Sequence, residues 1–105
     1  MTDVMRKIAF RRIAEASLSA ADTLVPRWLP EGRREGAEWI AKNPRRIDKR
    51  RGSFKVNLRT GRWSDFAVEE SGGDLISLAS YLFHFKQGQA AVKIADALGI
   101  NAYEQ

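Results

Sequence analysis

An α+β domain is the fold class this sequence predicts, and three observations predict it. Residues 53–59 alternate strictly, with Phe54, Val56 and Leu58 on one side and Lys55, Asn57 and Arg59 on the other. That period of two is the signature of a strand buried on one face only. A Thr60-Gly61 turn follows, and residues 62–67 return to complete an antiparallel hairpin. Beyond Gly72-Gly73 the apolar spacing changes to that of a helix, through Leu75, Ile76, Leu78, Ala79, Leu82 and Phe83. At 105 residues, 44% hydrophobic and 30% charged, the chain is long enough for one small core. The expected layout is a single domain, 1–105: helices in 1–30, an antiparallel sheet of about three strands in 31–67, and a helix pair in 74–100.

The N-terminal part opens with a helix over residues 3–17. Val4, Ile8, Ala9, Ile13 and Ala16 recur at three- to five-residue steps, while Arg6, Lys7 and Arg11 fall mostly on the other side. Asp3 suits the positive end of the helix dipole. Ser19 with Asp22 three residues on is a weak N-cap signal for a second helix, whose inward side is Leu24, Val25, Trp28 and Leu29. Pro26 shortens or kinks it, and Pro30 ends it by Leu29.

Glu31-Gly32 opens a turn, and residues 36–42 form a short strand that stops at Asn43-Pro44. A basic loop, 45–52, leads to the hairpin. Glu69-Glu70 reads as a solvated acidic turn. Gly72-Gly73 makes a tight approach to the next helix, with Asp74 as its cap and His84 well inside it. Gly88 marks a break or first turn. The last helix buries Ala91, Ile94, Ala95 and Leu98 and ends at Gly99, with Ile100 supplying the usual hydrophobic contact.

The net charge of +5 is unevenly spread. Residues 27–62 hold twelve Lys and Arg against Glu31, Glu35, Glu38 and Asp48, a local +8, whereas residues 63–105 sum to −4. Such a pole is the electrostatic footprint of a surface addressed to a polyanion. Its cations are Arg45, Arg46, Lys49, Arg50 and Arg51 on the loop and Lys55, Arg59 and Arg62 on the hairpin. Lys55 and Arg59 share the polar strand face with Asn57, and side chains two apart on a strand stand about 6.6–7 Å from each other, near the spacing of successive phosphates. Trp63 and Phe66 are the rings that could stack on an unpaired base, although each is more often core, and Trp63, beside Arg62, is the one kept as the candidate.

Other chemistries lack support. A structural zinc needs about four sulfur or nitrogen ligands, and the chain has no Cys and a single His, His84. The serines have no His and acid at a recognisable spacing. Gly72-Gly73-Asp74 lacks the Lys and glycine spacing of a phosphate-binding loop. No enzymatic activity and no cofactor are therefore expected. No stretch approaches the roughly 18–20 apolar residues of a membrane span, and no export signal is evident, so the expected location is the cytoplasm.

The block Gly61-Arg62-Trp63-Ser64-Asp65-Phe66, through Gly72-Gly73-Asp74-Leu75-Ile76-Ser77-Leu78, with Gln87-Gly88-Gln89-Ala90-Ala91 downstream, resembles the CHC2-type zinc-ribbon N-terminal domain of bacterial and phage DNA primases. It is particularly like the primase-associated domains of phages, plasmids and integrative elements. The resemblance spans roughly residues 30–100. It sets the family's two ligand pairs near residues 40–44 and 64–68, where no cysteine stands, so it implies a zinc-ribbon-like sheet that has lost its zinc. Packing of Trp39, Phe54, Trp63 and Phe66 is expected to replace the metal. It further implies a module that engages single-stranded DNA template or a replication partner such as a primase or helicase core. The alternative is a protein-interaction or inhibitor module that turns the same basic surface against an acidic protein or a nucleic-acid enzyme.

Overall fold

The computed structural model describes residues 6–45 and 53–104. It is an α+β fold of four helices and a five-stranded antiparallel sheet. In chain order these are α1 (Phe10–Ser19), α2 (Ala21–Trp28), β1 (Arg33–Glu35), β2 (Glu38–Ala41), β3 (Phe54–Asn57), β4 (Trp63–Asp65), β5 (Glu70–Gly72), α3 (Leu75–Phe83) and α4 (Gln87–Leu98). The sheet is a meander in which every strand pairs with its sequence neighbour, in the order β1-β2-β3-β4-β5.

The first helix starts later than its apolar spacing suggests. Ile8 forms an isolated antiparallel bridge with Tyr103, the Ala9 amide donates to the Ala102 carbonyl (2.8 Å) and Glu104 N–H donates to Lys7 (2.7 Å). These long-range bonds hold residues 7–9 out of the helix, so it begins only at Phe10. The expected positions Asp3 and Val4 lie outside the described residues. Helix α2 tolerates Pro26 near its end and stops two residues later at Trp28; its Leu24 and Val25 are buried.

One side of the sheet meets the helices. Phe54, Val56, Leu58 and Trp63 share a single apolar cluster with Ile13 of α1, Leu24 and Val25 of α2, Leu75, Ile76 and Leu78 of α3 and Ala90, Ala91 and Ile94 of α4. Within it Phe54 stacks on Trp63 (centroids 5.8 Å, planes 11° apart), and Tyr81 tilts against Trp63 at 5.0 Å. Edge-on and offset aromatic contacts of this kind add to burial.

The expected cap at Asp74 is present: its Oδ1 accepts from the Ser77 amide at 2.8 Å. Helix α3 nevertheless ends before His84, which takes a left-handed conformation (φ 60°) as its C-cap. His84 is thus exposed at a helix end, not inside the helix. At the end of α4, Ile100 N–H reaches back to the Ala95 carbonyl (3.0 Å) across Gly99, the six-to-one bond of a Schellman stop.

Two strands are additional to the three expected, each of three residues. Strand β1 is exposed throughout and pairs by backbone alone. Strand β5 takes in Glu70, expected in a turn, and Gly72, expected to lead into the helix. Gly72 faces Trp63 across the sheet, and a Cβ there would collide with the Trp63 indole nitrogen and the Ser77 hydroxyl. Its bare backbone is what lets the indole lie across β5 and donate to Ser77 Oγ (2.9 Å).

Candidate nucleic-acid interface

The face of the sheet turned away from the helices carries the candidate site. Cross-strand partners share a face, and the register gives an unbroken row across all five strands: Arg33, Ile40, Lys55, Ser64 and Ser71. A second row holds Glu35, Glu38 and Asn57. Between strands β2 and β5 the surface dips into a groove of about 710 Å³, lined by Glu38, Lys55, Asn57, Thr60, Arg62, Trp63, Ser64, Ser71, Gly72 and Gly73. Two cations, three hydroxyls and a stretch of glycine backbone line it. Glu38 is the only carboxylate among its lining residues, at the β2 edge.

The β3–β4 turn holds this edge of the groove in place. Asn57 Oδ1 accepts from the amides of Arg59 (2.9 Å) and Thr60 (3.1 Å), and Thr60 Oγ1 accepts from Arg62 N–H (3.2 Å). Gly61, at φ 81°, supplies the left-handed corner, and its amide donates to the Asn57 carbonyl (2.8 Å). Asn57 is therefore a turn-former as well as a groove residue. Arg59 lies past the end of β3, inside the turn and outside the groove lining. The strand alternation that would align it with Lys55 stops at Asn57.

Lys55 and Arg62 line the groove together, and neither pairs with a carboxylate among the described residues. Arg33, in the same row, is held by Glu35 instead. Arg45 is exposed at the mouth of the basic loop. Its guanidinium lies 4.5 Å above the Tyr81 ring and donates to the Tyr81 carbonyl (3.2 Å). Arg46, Lys49, Arg50 and Arg51 lie outside the described residues.

Of the two aromatics of the returning strand, Trp63 packs and Phe66 is the open one. Trp63 is only 5% exposed and belongs to the core, so its ring is not open for a base to stack on. Phe66, expected to pack in place of a metal, is 69% exposed. Its ring lies 5.9 Å from Lys55 Nζ, beside the cation of the groove. The reason is parity: position 63 faces the helices, so position 66, three residues on, faces the other way. The same count marks Ser64 as a groove residue.

Segments 40–44 and 64–68, where the primase resemblance sets its ligand pairs, lie on either side of β3, and polar side-chain bonds join them. Asn43 Nδ2 donates to Asp65 Oδ2 (2.8 Å) and to Tyr81 Oη (2.8 Å). Asn43 Oδ1 accepts from Arg45 N–H and Asp65 Oδ1 from Ala67 N–H, at 2.8 and 2.9 Å. Asp65 is fully buried and Asn43 nearly so. Of the expected aromatics, Phe54 and Trp63 stack in the core and Trp39 packs against it, and a hydrogen-bonded Asn–Asp–Tyr cluster joins the two segments beside them. It fixes residues 43–45, where the basic loop begins, against residues 65–67, the far side of the hairpin.

Among the described residues, no group of three or more His, Asp or Glu side chains is arranged to hold a metal ion. None of the described helices is long and apolar enough to cross a membrane. Comparison with known proteins returns no match: no family model fits the chain, and neither curated proteins nor solved structures contain a significant relative.

Proposed function

We propose that this chain is a non-catalytic module that binds single-stranded nucleic acid, DNA by preference, on the open face of its sheet. It would serve the cytoplasmic replication machinery of a phage, plasmid or other mobile element, alongside a primase or helicase core. The single observation that carries the proposal is the groove in which Lys55 and Arg62 stand with Ser64, Ser71 and the Gly72-Gly73 backbone, next to the exposed Phe66 ring.

Each part has a distinct task. Lys55 and Arg62 neutralise phosphates and release their counterions. The serine hydroxyls and glycine amides donate to phosphate oxygens, which positions the strand without reading its sequence. Phe66 offers a π-face to one unpaired base, a contact worth about 1–3 kcal/mol and indifferent to base identity. Arg45 and, by charge alone, Arg46, Lys49, Arg50 and Arg51 of the basic loop add to the positive field around the domain. A duplex keeps its bases stacked inside and is read by an element inserted into a groove; a sheet face with an exposed ring suits unpaired bases instead.

The test is fluorescence anisotropy of labelled single- and double-stranded oligonucleotides over a salt series. Single strands should bind more tightly, with log K falling by about 0.7 per phosphate neutralised for each decade of salt. Absence of binding at low salt would reject the proposal.

A further inference from the structure

A second groove lies among the helices, far in character from the first. Helices α2, α3 and α4 leave between them a depression of about 300 Å³. Its floor is apolar, built from Leu24, Ala79, Ala90 and Ile94, and Phe83 forms one wall although it is 42% exposed. Trp28 meets Phe83 edge-on (6.1 Å, 84°), and Phe85 lies 6.1 Å from Phe83 on its other side. Arg27 and Lys93 also line the groove, one from α2 and one from α4. No acidic residue lines it, and neither cation pairs with a carboxylate among the described residues.

An exposed aromatic wall over an apolar floor is the kind of surface that soluble domains reserve for a partner. The two cations select which partner. An apolar ligand alone would partly desolvate Arg27 and Lys93, offset only by the Phe85 ring 5.5 Å from Lys93 Nζ, and a basic ligand would be repelled. A segment that is apolar on one side and acidic on the other satisfies both features: bulky side chains fill the floor between Trp28 and Phe83 while carboxylates pair with the two cations. An amphipathic helix presents that combination in one piece. We infer that the α2–α3–α4 groove is a docking site for an acidic amphipathic helix of a partner protein. The site is independent of the sheet face, so the domain would hold nucleic acid and a protein at once.

The probes are three labelled peptides of about 16 residues, each with Leu at i, i+3, i+4 and i+7 and Glu at the exposed positions, in different registers. Controls replace every Glu by Lys, or every Leu by Ser. At least one Glu peptide should bind, with a change in tryptophan fluorescence, and both controls should fail. Arg27→Glu with Lys93→Glu should weaken the Glu peptide at least tenfold and acquire binding to the Lys control, a charge-swap rescue that mere destabilisation would not produce. Phe83→Ser should abolish peptide binding when assayed well below the variant's own thermal midpoint, which is measured alongside because the ring is only 42% exposed and packs on Trp28 and Phe85. Lys55→Glu should leave peptide binding intact. The inference is overturned if no Glu peptide binds, if the Lys control binds unmodified protein equally well, if Lys55→Glu removes peptide binding, or if sedimentation shows a second copy of the chain filling the groove.

Discussion

The sheet groove and the helical groove are both positively charged, yet one is lined mainly by polar residues and the other is apolar to its rim. In the first, Lys55 and Arg62 stand among hydroxyls and glycine backbone; in the second, Arg27 and Lys93 frame Trp28, Phe83 and Phe85. Charge of one sign therefore marks two different ligands, and the groups between the charges decide which. Hydroxyls and amides can replace the water around a phosphate. Aromatic walls cannot, and they favour a ligand that brings its own apolar surface. The same contrast recurs within a single strand segment, where Trp63 and Phe66 stand three residues apart, one in the core and one in solvent.

The largest expected effect tests that last pair. Trp63→Ala removes a ring that packs on Phe54 and Tyr81 and donates to Ser77, so it should cost about 3–5 kcal/mol of stability, read as a lower denaturant midpoint. Phe66→Ala should do the reverse: stability within about 0.5 kcal/mol of the parent, with single-strand affinity reduced by about 1–3 kcal/mol. Equal stability losses in the two variants would erase the distinction between core and open face. Asn43→Ala stands between them. It strips the buried Asp65 of a 2.8 Å hydrogen bond and should destabilise by about 1–3 kcal/mol, visible in chemical denaturation; a neutral result would mean that the cluster does not hold the loop.

How much of this was legible beforehand follows from which forces set each element. The β3–β4 hairpin and the α3 stripe announce themselves because side-chain burial dictates them: Phe54, Val56 and Leu58 must go in, as must Leu75, Ile76, Leu78, Ala79 and Leu82. Strand β1 carries no such signal. Its three residues are Arg33, Arg34 and Glu35, all exposed, and only backbone pairing with β2 makes them a strand. Likewise the start of α1 is set by Tyr103 and Ala102, more than ninety residues away, which no local pattern can encode. The charge count marks the 45–62 stretch as basic but not which of its cations share the open face, because register and turn geometry decide that. The hydrophobicity of Phe66 argues for the core, but strand parity sets both it and Ser64 on the open face, and parity wins.

Within the sheet groove, charge reversal should act through salt dependence. Lys55→Glu with Arg62→Glu removes two phosphate contacts, so single-strand affinity at low salt should fall at least tenfold and the slope of log K against log salt should flatten by about 1.4, two contacts at 0.7 each. Both side chains lie at the surface of the groove, so the fold should survive, as a far-ultraviolet spectrum would check. An unchanged slope would move the binding surface off the sheet and onto the loop cations alone.

The smallest effect separates neighbours. Arg59 and Arg62 are three residues apart in one turn and both are exposed, but only Arg62 lines the groove. A diffuse electrostatic field would treat them alike, since both lie well within a Debye length of about 8–10 Å of the same strand. A defined path for the phosphates would not. Arg62→Ala should flatten the salt slope by about 0.7, one contact, whereas Arg59→Ala should leave the slope unchanged and shift affinity by no more than about 0.5 kcal/mol. Titrations of the two variants in parallel therefore distinguish a track from a cloud of charge. Equal losses would mean that the groove is no more than the centre of a basic patch, and that hydroxyls, glycine backbone and Phe66 do not steer the strand.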